Sequence, residues 1–206
     1  MTEPSASARP RLRERLREKL PEIVIEAGSV LLALLLALGA NQWNERQQEN
    51  ERAEIARKAI LAELRANRQE IDGKRGKLQE VVAQLRDALD TSKPPPHELQ
   101  VQVGISLLSA AAWHASLATQ ASQRIDFAWL TRIAKLYELQ DNFVRVQNIA
   151  IDQLNSVPFD RTADGRQIAA GLLPRFRALD QFAQGLAASY AEALDEATPK
   201  RPDTKP

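Results

Sequence analysis

The chain has 206 residues, 44% hydrophobic, 27% charged and 5% aromatic, with no cysteine and a net charge of +1. So balanced a charge excludes a whole-protein basic field of the kind that draws nucleic acid, and the missing cysteines exclude disulfides, thiolate metal sites and lipid attached through sulfur. Ala, Leu, Gln, Arg and Glu abound while glycine is sparse, which favours helix over strand.

Residues 1–22 form a leader. Met1 to Ala8 is small and polar and is expected to be disordered. Pro10 to Leu20 reads PRLRERLREKL, with Leu12, Leu16 and Leu20 on one helical face. Arg9, Arg11, Arg13, Arg15, Arg17 and Lys19 surround that face, a pattern suited to an anionic lipid surface. A solvated charged helix whose leucines pack on the protein would show the same residues.

Residues 23–43 read IVIEAGSVLLALLLALGANQW. From Ile23 to Ala40 the only charge is Glu26, and eighteen such residues nearly cross a hydrocarbon core about 30 Å thick. A transmembrane helix is therefore expected here. Glu26 lies one turn inside its start, where a carboxylate can reach the headgroups or a basic partner. Ser29, Ala33 and Ala37 recur every fourth residue, a candidate face for helix association. Trp43 stands where an interfacial aromatic anchor belongs. The rival reading is a cleaved signal peptide, with Ala37 and Gly39 as the small residues of its processing site. The apolar segment is longer than the usual signal core, and helix-favouring sequence follows it without a break. Six Lys or Arg precede the span and four (Arg46, Arg52, Arg57, Lys58) follow it closely. This places the N-terminus in the cytoplasm and the remainder outside, in the periplasm if the membrane is a bacterial inner membrane.

Glu26 to Glu45, EAGSVLLALLLALGANQWNE, resembles the signature of a family of uncharacterised bacterial single-span membrane proteins. That signature is a Glu, a Leu-rich span and Asn-x-Trp-Asn-Glu; Glu26, Asn41, Trp43, Asn44 and Glu45 fall at the matching spacing. The stretch Ala62 to Asn67, AELRAN, is similar to the family's post-span helix, and a weaker likeness runs from Trp113 to Gln140. The resemblance implies one N-terminal span, a helical domain and no assigned activity.

Residues 44–198 are expected to form a helical bundle domain. Leu64, Ile71, Leu78 and Leu85 are seven apart, the repeat of a coiled-coil seam. Leu61, Val82 and Leu89 serve as its alternate positions, which leaves Arg68 and Arg75 as flaws. Gly73 and Gly76 predict a kink or a tight turn, and with Lys74, Arg75 and Lys77 a solvated weak turn outweighs an anion site. Pro94 to Pro96 breaks the helix. A second helix is expected over Glu98 to Ser122, with Val101, Ile105, Leu108, Ala112 and Leu117 on one side and Trp113 as a plug among small residues. Arg124 to Leu154 carries the broadest apolar stripe, from Phe127 through Tyr137 and Phe143 to Leu154. Asp160 to Gly165 starts like a calcium loop, but Gly171 stands where the closing Glu belongs, so a helix-capping turn is preferred. Gly165 to Ala197 is the last helix, with Pro174 expected to kink or restart it. Residues 199–206 are expected to be a disordered tail.

The two histidines, His97 and His114, lack metal-ligand spacing, and no Gly-rich nucleotide loop or Gly-x-Ser-x-Gly elbow occurs. The expectation is not an enzyme, with no cofactor and no metal. The fold expected is all-α: one N-terminal transmembrane helix, then an antiparallel bundle of about four helices. The function expected is a membrane-anchored interaction or scaffold protein. Its partners would be the lipid bilayer and either a second copy or another membrane protein, with no nucleic acid. The alternative is an extracytoplasmic ligand-binding, sensor-like bundle with a pocket at Trp113 and His114.

Overall fold

A computed structural model describes residues 10–94, 99, 101–119, 121–157 and 164–197; the side chains of residues 10–24 and 27 lie outside the description. The expectations for Met1 to Arg9, the leader side chains, Pro95 to Glu98 and the tail fall outside it too, as does the calcium-loop pattern before Asp164. The described residues are all-α, with four helices: α1 (Pro10–Ala88), α2 (Ala111–Ala118), α3 (Phe127–Asn155) and α4 (Gly165–Ala197). A 3₁₀ turn, Ala121–Arg124, precedes α3. The chain divides into two compact units, Met1–Glu51 and Arg52–Pro206, and α1 contributes to both.

In the first unit α1 carries its apolar side chains outward. Val30, Leu31, Leu32, Leu34, Leu35, Leu36 and Leu38 are all more than half exposed. At 100° per residue they sweep about two thirds of the helix circumference, and Ser29, Ala33 and Ala37 fill most of the rest. Among the described residues no helix is long and apolar enough to cross a membrane. The run in the sequence begins at Ile23, and Ile23, Val24 and Ala27 lie outside the described side chains.

In the second unit α1 buries the expected seam and one further line beside it. Leu64, Ile71, Leu78 and Leu85 are buried as expected. The other line is Ala53, Ile60, Asn67, Lys74, Val81 and Ala88, and all of these except the half-buried Lys74 are buried. Of the expected alternate positions, Leu61 and Val82 are buried in the core and Leu89 is half-buried against it, so 61, 68, 75, 82 and 89 widen the seam along one edge. Arg68 and Arg75 are therefore half-buried flanking residues and not flaws in it. The true irregularity is polar: Asn67 lies in the core at 3% exposure.

The helix runs through Gly73 and Gly76 without a turn. Ile71 and Leu78 are anchored in the core on either side, and that burial outweighs the low helix propensity of two glycines. α4 likewise runs through Pro174 as one helix, without the restart the sequence allows. Pro174 is exposed, so the carbonyl it leaves unpaired faces solvent, while Leu172 and Phe176 are fully buried beside it.

The bundle is antiparallel only in part. Arg57 lies by Trp129, Glu63 bonds Tyr137 and Asn67 bonds Gln140, so α1 and α3 run in the same direction. Arg132 at the start of α3 pairs with Glu196 at the end of α4, 3.3 Å apart, so α4 runs against both. Arg166 at the start of α4 donates to the carbonyls of Asp90 and Lys93 and fastens it to the end of α1. Parallel neighbours need a long return, and residues 89–126 supply it.

In that return, where the sequence predicts a helix over Glu98 to Ser122, only Ala111–Ala118 is helical. Residues 101–110 form neither helix nor strand. The segment passes from Gly104, beside Lys74, to Ala112, whose N–H meets Glu63. Eleven residues of α1 separate those points, about 16 Å, whereas eight helical residues would advance only about 12 Å. Consequently Ser106 and Ser116 are buried, while Ile105 and Leu117, expected inside, are about half exposed.

A further shift occurs at the start of α3. Asp126 caps it by accepting from Trp129 N at 2.8 Å, so Phe127 opens the first turn and is 81% exposed, while Trp129 is buried. Of the rest of the expected stripe, Ile133, Leu136, Tyr137, Phe143 and Ala150 are core, while Leu130, Val146 and Leu154 are half-buried against it.

A Cβ added at Gly73 or Gly76 would meet nothing within 4 Å. Gly73→Ala and Gly76→Ala should each stabilise the fold by about 0.5–1 kcal/mol in chemical denaturation. A loss of stability in either would show that the helix is not continuous there.

Candidate functional site

The polar residues of the core converge on residues 101–113. Asn67 uses both ends of its amide on one residue: Oδ1 accepts from Ser109 N at 2.9 Å and Nδ2 donates to Ser109 O at 2.7 Å. Gln147 does the same at Ser106, accepting from N at 2.9 Å and donating to O at 3.2 Å. Gln140 joins the pair by donating to Ser109 O, while its Oε1 accepts from Asn67 and, at 2.6 Å, from Tyr190. Each amide imitates the backbone of a neighbouring strand, so a segment without a ladder of its own has its inward groups satisfied.

One turn earlier on α1, Glu63 closes the network. It accepts from Ser109 Oγ at 2.6 Å, Tyr137 OH at 2.6 Å, Ala112 N at 3.0 Å and Trp113 N at 3.4 Å. Ala110, at the N-cap of α2, offers no side-chain oxygen, so a carboxylate from another helix caps α2. Burial alone would raise the Glu63 carboxyl. The hydrogen bonds from Ser109, Tyr137, Ala112 and Trp113 together outweigh it and hold the pKa below the ordinary value. Burial, followed by the Glu63 carboxylate, pushes the Tyr137 hydroxyl far up, and burial does the same to Tyr190. Both phenols stay protonated donors at neutral pH.

Trp113 stacks on Tyr137, ring centroids 5.4 Å apart and planes 14° apart, while His114 beside it is exposed. Three cavities are formed by other residues. A cleft of about 290 Å³ lies between α3 and α4 at Trp129, Ile133, Leu136 and Ala193. Trp129 has no hydrogen-bond partner for its indole N–H among the described residues. A polar hollow of about 400 Å³ lies at Lys77, Glu80, Gln84 and Gln102. An apolar hollow of about 460 Å³ lies at Ile55, Ala56, Ala59, Ala112 and Ala115. Neither Trp113 nor His114 lines any of these three. Among the described residues no cluster of three or more His, Asp or Glu could hold a metal ion.

In the first unit the residues of the sequence signature lie on α1 and are exposed. Asn41 Nδ2 donates to Glu45 Oε1 at 2.7 Å across one turn, and Ser29 Oγ donates to the Glu26 carbonyl at 2.8 Å. Glu26, Asn44, Ala33 and Ala37 are exposed, and Trp43 is 67% exposed. Sequence reasoning missed Gln140, Gln147 and the roles of Glu63 and Asn67. The last two lie within Ala62 to Asn67, whose polar residues look like those of any solvated helix face. The usable signal was Asn67 at a core position of the heptad. Near the Asp160 loop, Asp164 Oδ1 accepts from Arg166 N at 2.9 Å, in keeping with a helix-capping turn. No family model, no curated protein and no solved structure matches this chain.

Because the folded carboxyl of Glu63 titrates below its unfolded value, its contribution is complete above the ordinary glutamate range and disappears as pH falls through the folded value. Denaturation of Glu63→Gln between about pH 3 and 7 should show a shallower acid loss than the parent. Glu63→Ala should cost about 1–3 kcal/mol at neutral pH, since it strands the Tyr137 hydroxyl and two N–H groups. A parent and a Gln variant with identical acid profiles would remove Glu63 as the cap.

Proposed function

We propose that this is a membrane-anchored helical scaffold, held by one N-terminal span and presenting its bundle to protein partners. The observation that carries the reading is the sheath of large apolar side chains, Val30 to Leu38, exposed around α1 with no protein cover. A helix apolar around most of its circumference is stable only when something covers it, and a bilayer covers it from every side at once. The eighteen-residue run from Ile23 to Ala40 has the length for that, and Trp43 and Asn41 follow where the headgroup layer would begin. The basic leader supports a cytoplasmic N-terminus, which would put the bundle outside, in the periplasm if the cell is bacterial. The resemblance to bacterial single-span proteins supports the same placement. The bundle's polar core supports a structural task, because Glu63, Asn67, Gln140 and Gln147 all bond the chain itself.

Alkaline extraction of membranes tests the anchor. The full chain should stay with the bilayer, and Leu34→Lys with Leu35→Lys should release it, each lysine near mid-span costing about 2.5–3.5 kcal/mol. Complete release of the intact parent chain at high pH would contradict the reading.

A further inference from the structure

The cleft of about 290 Å³ between α3 and α4 combines an apolar wall with one hidden polar group. It opens because the side chains are unequal. α3 offers Trp129, Ile133 and Leu136, while the inner wall on α4 is only Ser189 and Ala193. Too little side-chain volume on one helix leaves space between the two. An apolar cavity of about 150 Å³ holds one benzene, so this cleft has room for about two rings. Its exposed rim carries two cations, Arg132 and Lys135, and two anions, Glu192 and Glu196, so it holds no net charge. Ser189 is spent, since its hydroxyl donates to the Gly185 carbonyl at 3.0 Å. That leaves the indole N–H of Trp129. The residue is 6% exposed, and its N–H is closed to water and meets no acceptor among the described residues. Of the three cavities, Trp129 lines this one alone.

We propose that this cleft binds an uncharged, largely apolar cyclic carbonyl compound of about two rings. Its rings lie against Ile133, Leu136 and Ala193, and its oxygen accepts from the Trp129 indole N–H. Each feature of the ligand answers a feature of the site. An uncharged body matches a rim whose charges already balance. Apolar rings take the wall out of water. The oxygen supplies the acceptor that a buried donor needs, and such a donor is costly to leave alone. Arg132 and Glu196, paired 3.3 Å apart from α3 to α4, form the mouth. Both are about half exposed, so parting them to admit a ligand and free the indole edge costs little. Arg57, 5.3 Å from the centroid of the Trp129 ring, helps hold that ring in place meanwhile. The inference adds a small-molecule input to the scaffold and does not rest on the anchor.

The test is a titration of the full-length chain in lipid nanodiscs with α-tetralone, and with tetralin, which has the same ring skeleton and no oxygen. Empty nanodiscs correct for partition into lipid. The indole N–H signals of nitrogen-labelled tryptophan are followed by NMR, and Trp129→Phe identifies the Trp129 signal by its loss. α-Tetralone should bind saturably and move that signal downfield. Trp129→Phe keeps a ring and removes the donor, so the ratio of ketone to hydrocarbon affinity, read by calorimetry, should fall at least about fivefold. Ala193→Phe, which fills the cleft, should weaken both probes at least about tenfold, with circular dichroism confirming the helices. No saturable binding of α-tetralone, binding unchanged by Ala193→Phe, or an affinity ratio unchanged by Trp129→Phe would each overturn the proposal. None of these readouts depends on alkaline extraction, so failure of the site and failure of the anchor are distinguishable.

Discussion

The structure of the second unit depends on two side-chain amides that hold a segment of chain with no regular structure. Asn67 and Gln147 each grip both backbone groups of one serine, Ser109 and Ser106. The parallel placement of α1 and α3 follows from that grip. After α1 ends, the chain must return along the bundle before α3 can start, and a helix of the available length is too short to make the return. An extended return would bury backbone groups without partners, which is costly unless donors and acceptors are supplied locally. The amides supply them, Glu63 finishes the return by capping α2, and Tyr137 and Tyr190 complete the capacity of Glu63 and Gln140.

The two units handle exposure in opposite ways. In the second, polar groups are buried and matched almost pair for pair, so that Asn67 in a core position fixes register instead of weakening the seam. In the first, apolar groups are left outside over most of the helix surface. The membrane reading explains the first arrangement, and a self-contained bundle that presents its surface explains the second. The polar network of the core resembles a catalytic cluster in composition. In geometry it is a clamp, since its donors and acceptors are engaged with the chain itself.

Much of the helical content was legible because heptads and caps are local signals. Leu64, Ile71, Leu78 and Leu85 announced the seam, and Asp164 stood in the turn expected to cap the last helix. Leu61 and Val82 are core as expected, but the neighbouring line through Ile60, Asn67 and Val81 was missed because Asn67 and Lys74 look polar. Gly73, Gly76 and Pro174 suggested breaks that burial on either side overrode. Residues 101–110 were misread most deeply. Val101-Gln102-Val103 does alternate as extended chain does, yet nothing nearby in sequence reveals that its partners are amides on α1 and α3. The cap of α2 escaped for the same reason, since Glu63 lies about fifty residues from the N–H groups it accepts.

Amide hydrogen exchange on the full chain measures the clamp most directly, because residues 101–110 have no helix or strand to protect them. The backbone N–H groups of Ser106 and Ser109 should exchange nearly as slowly as those in the middle of α3. Asn67→Ala should release Ser109 while leaving Ser106 slow. Exchange of both serines at the rate of an unstructured peptide in the native protein would contradict the account.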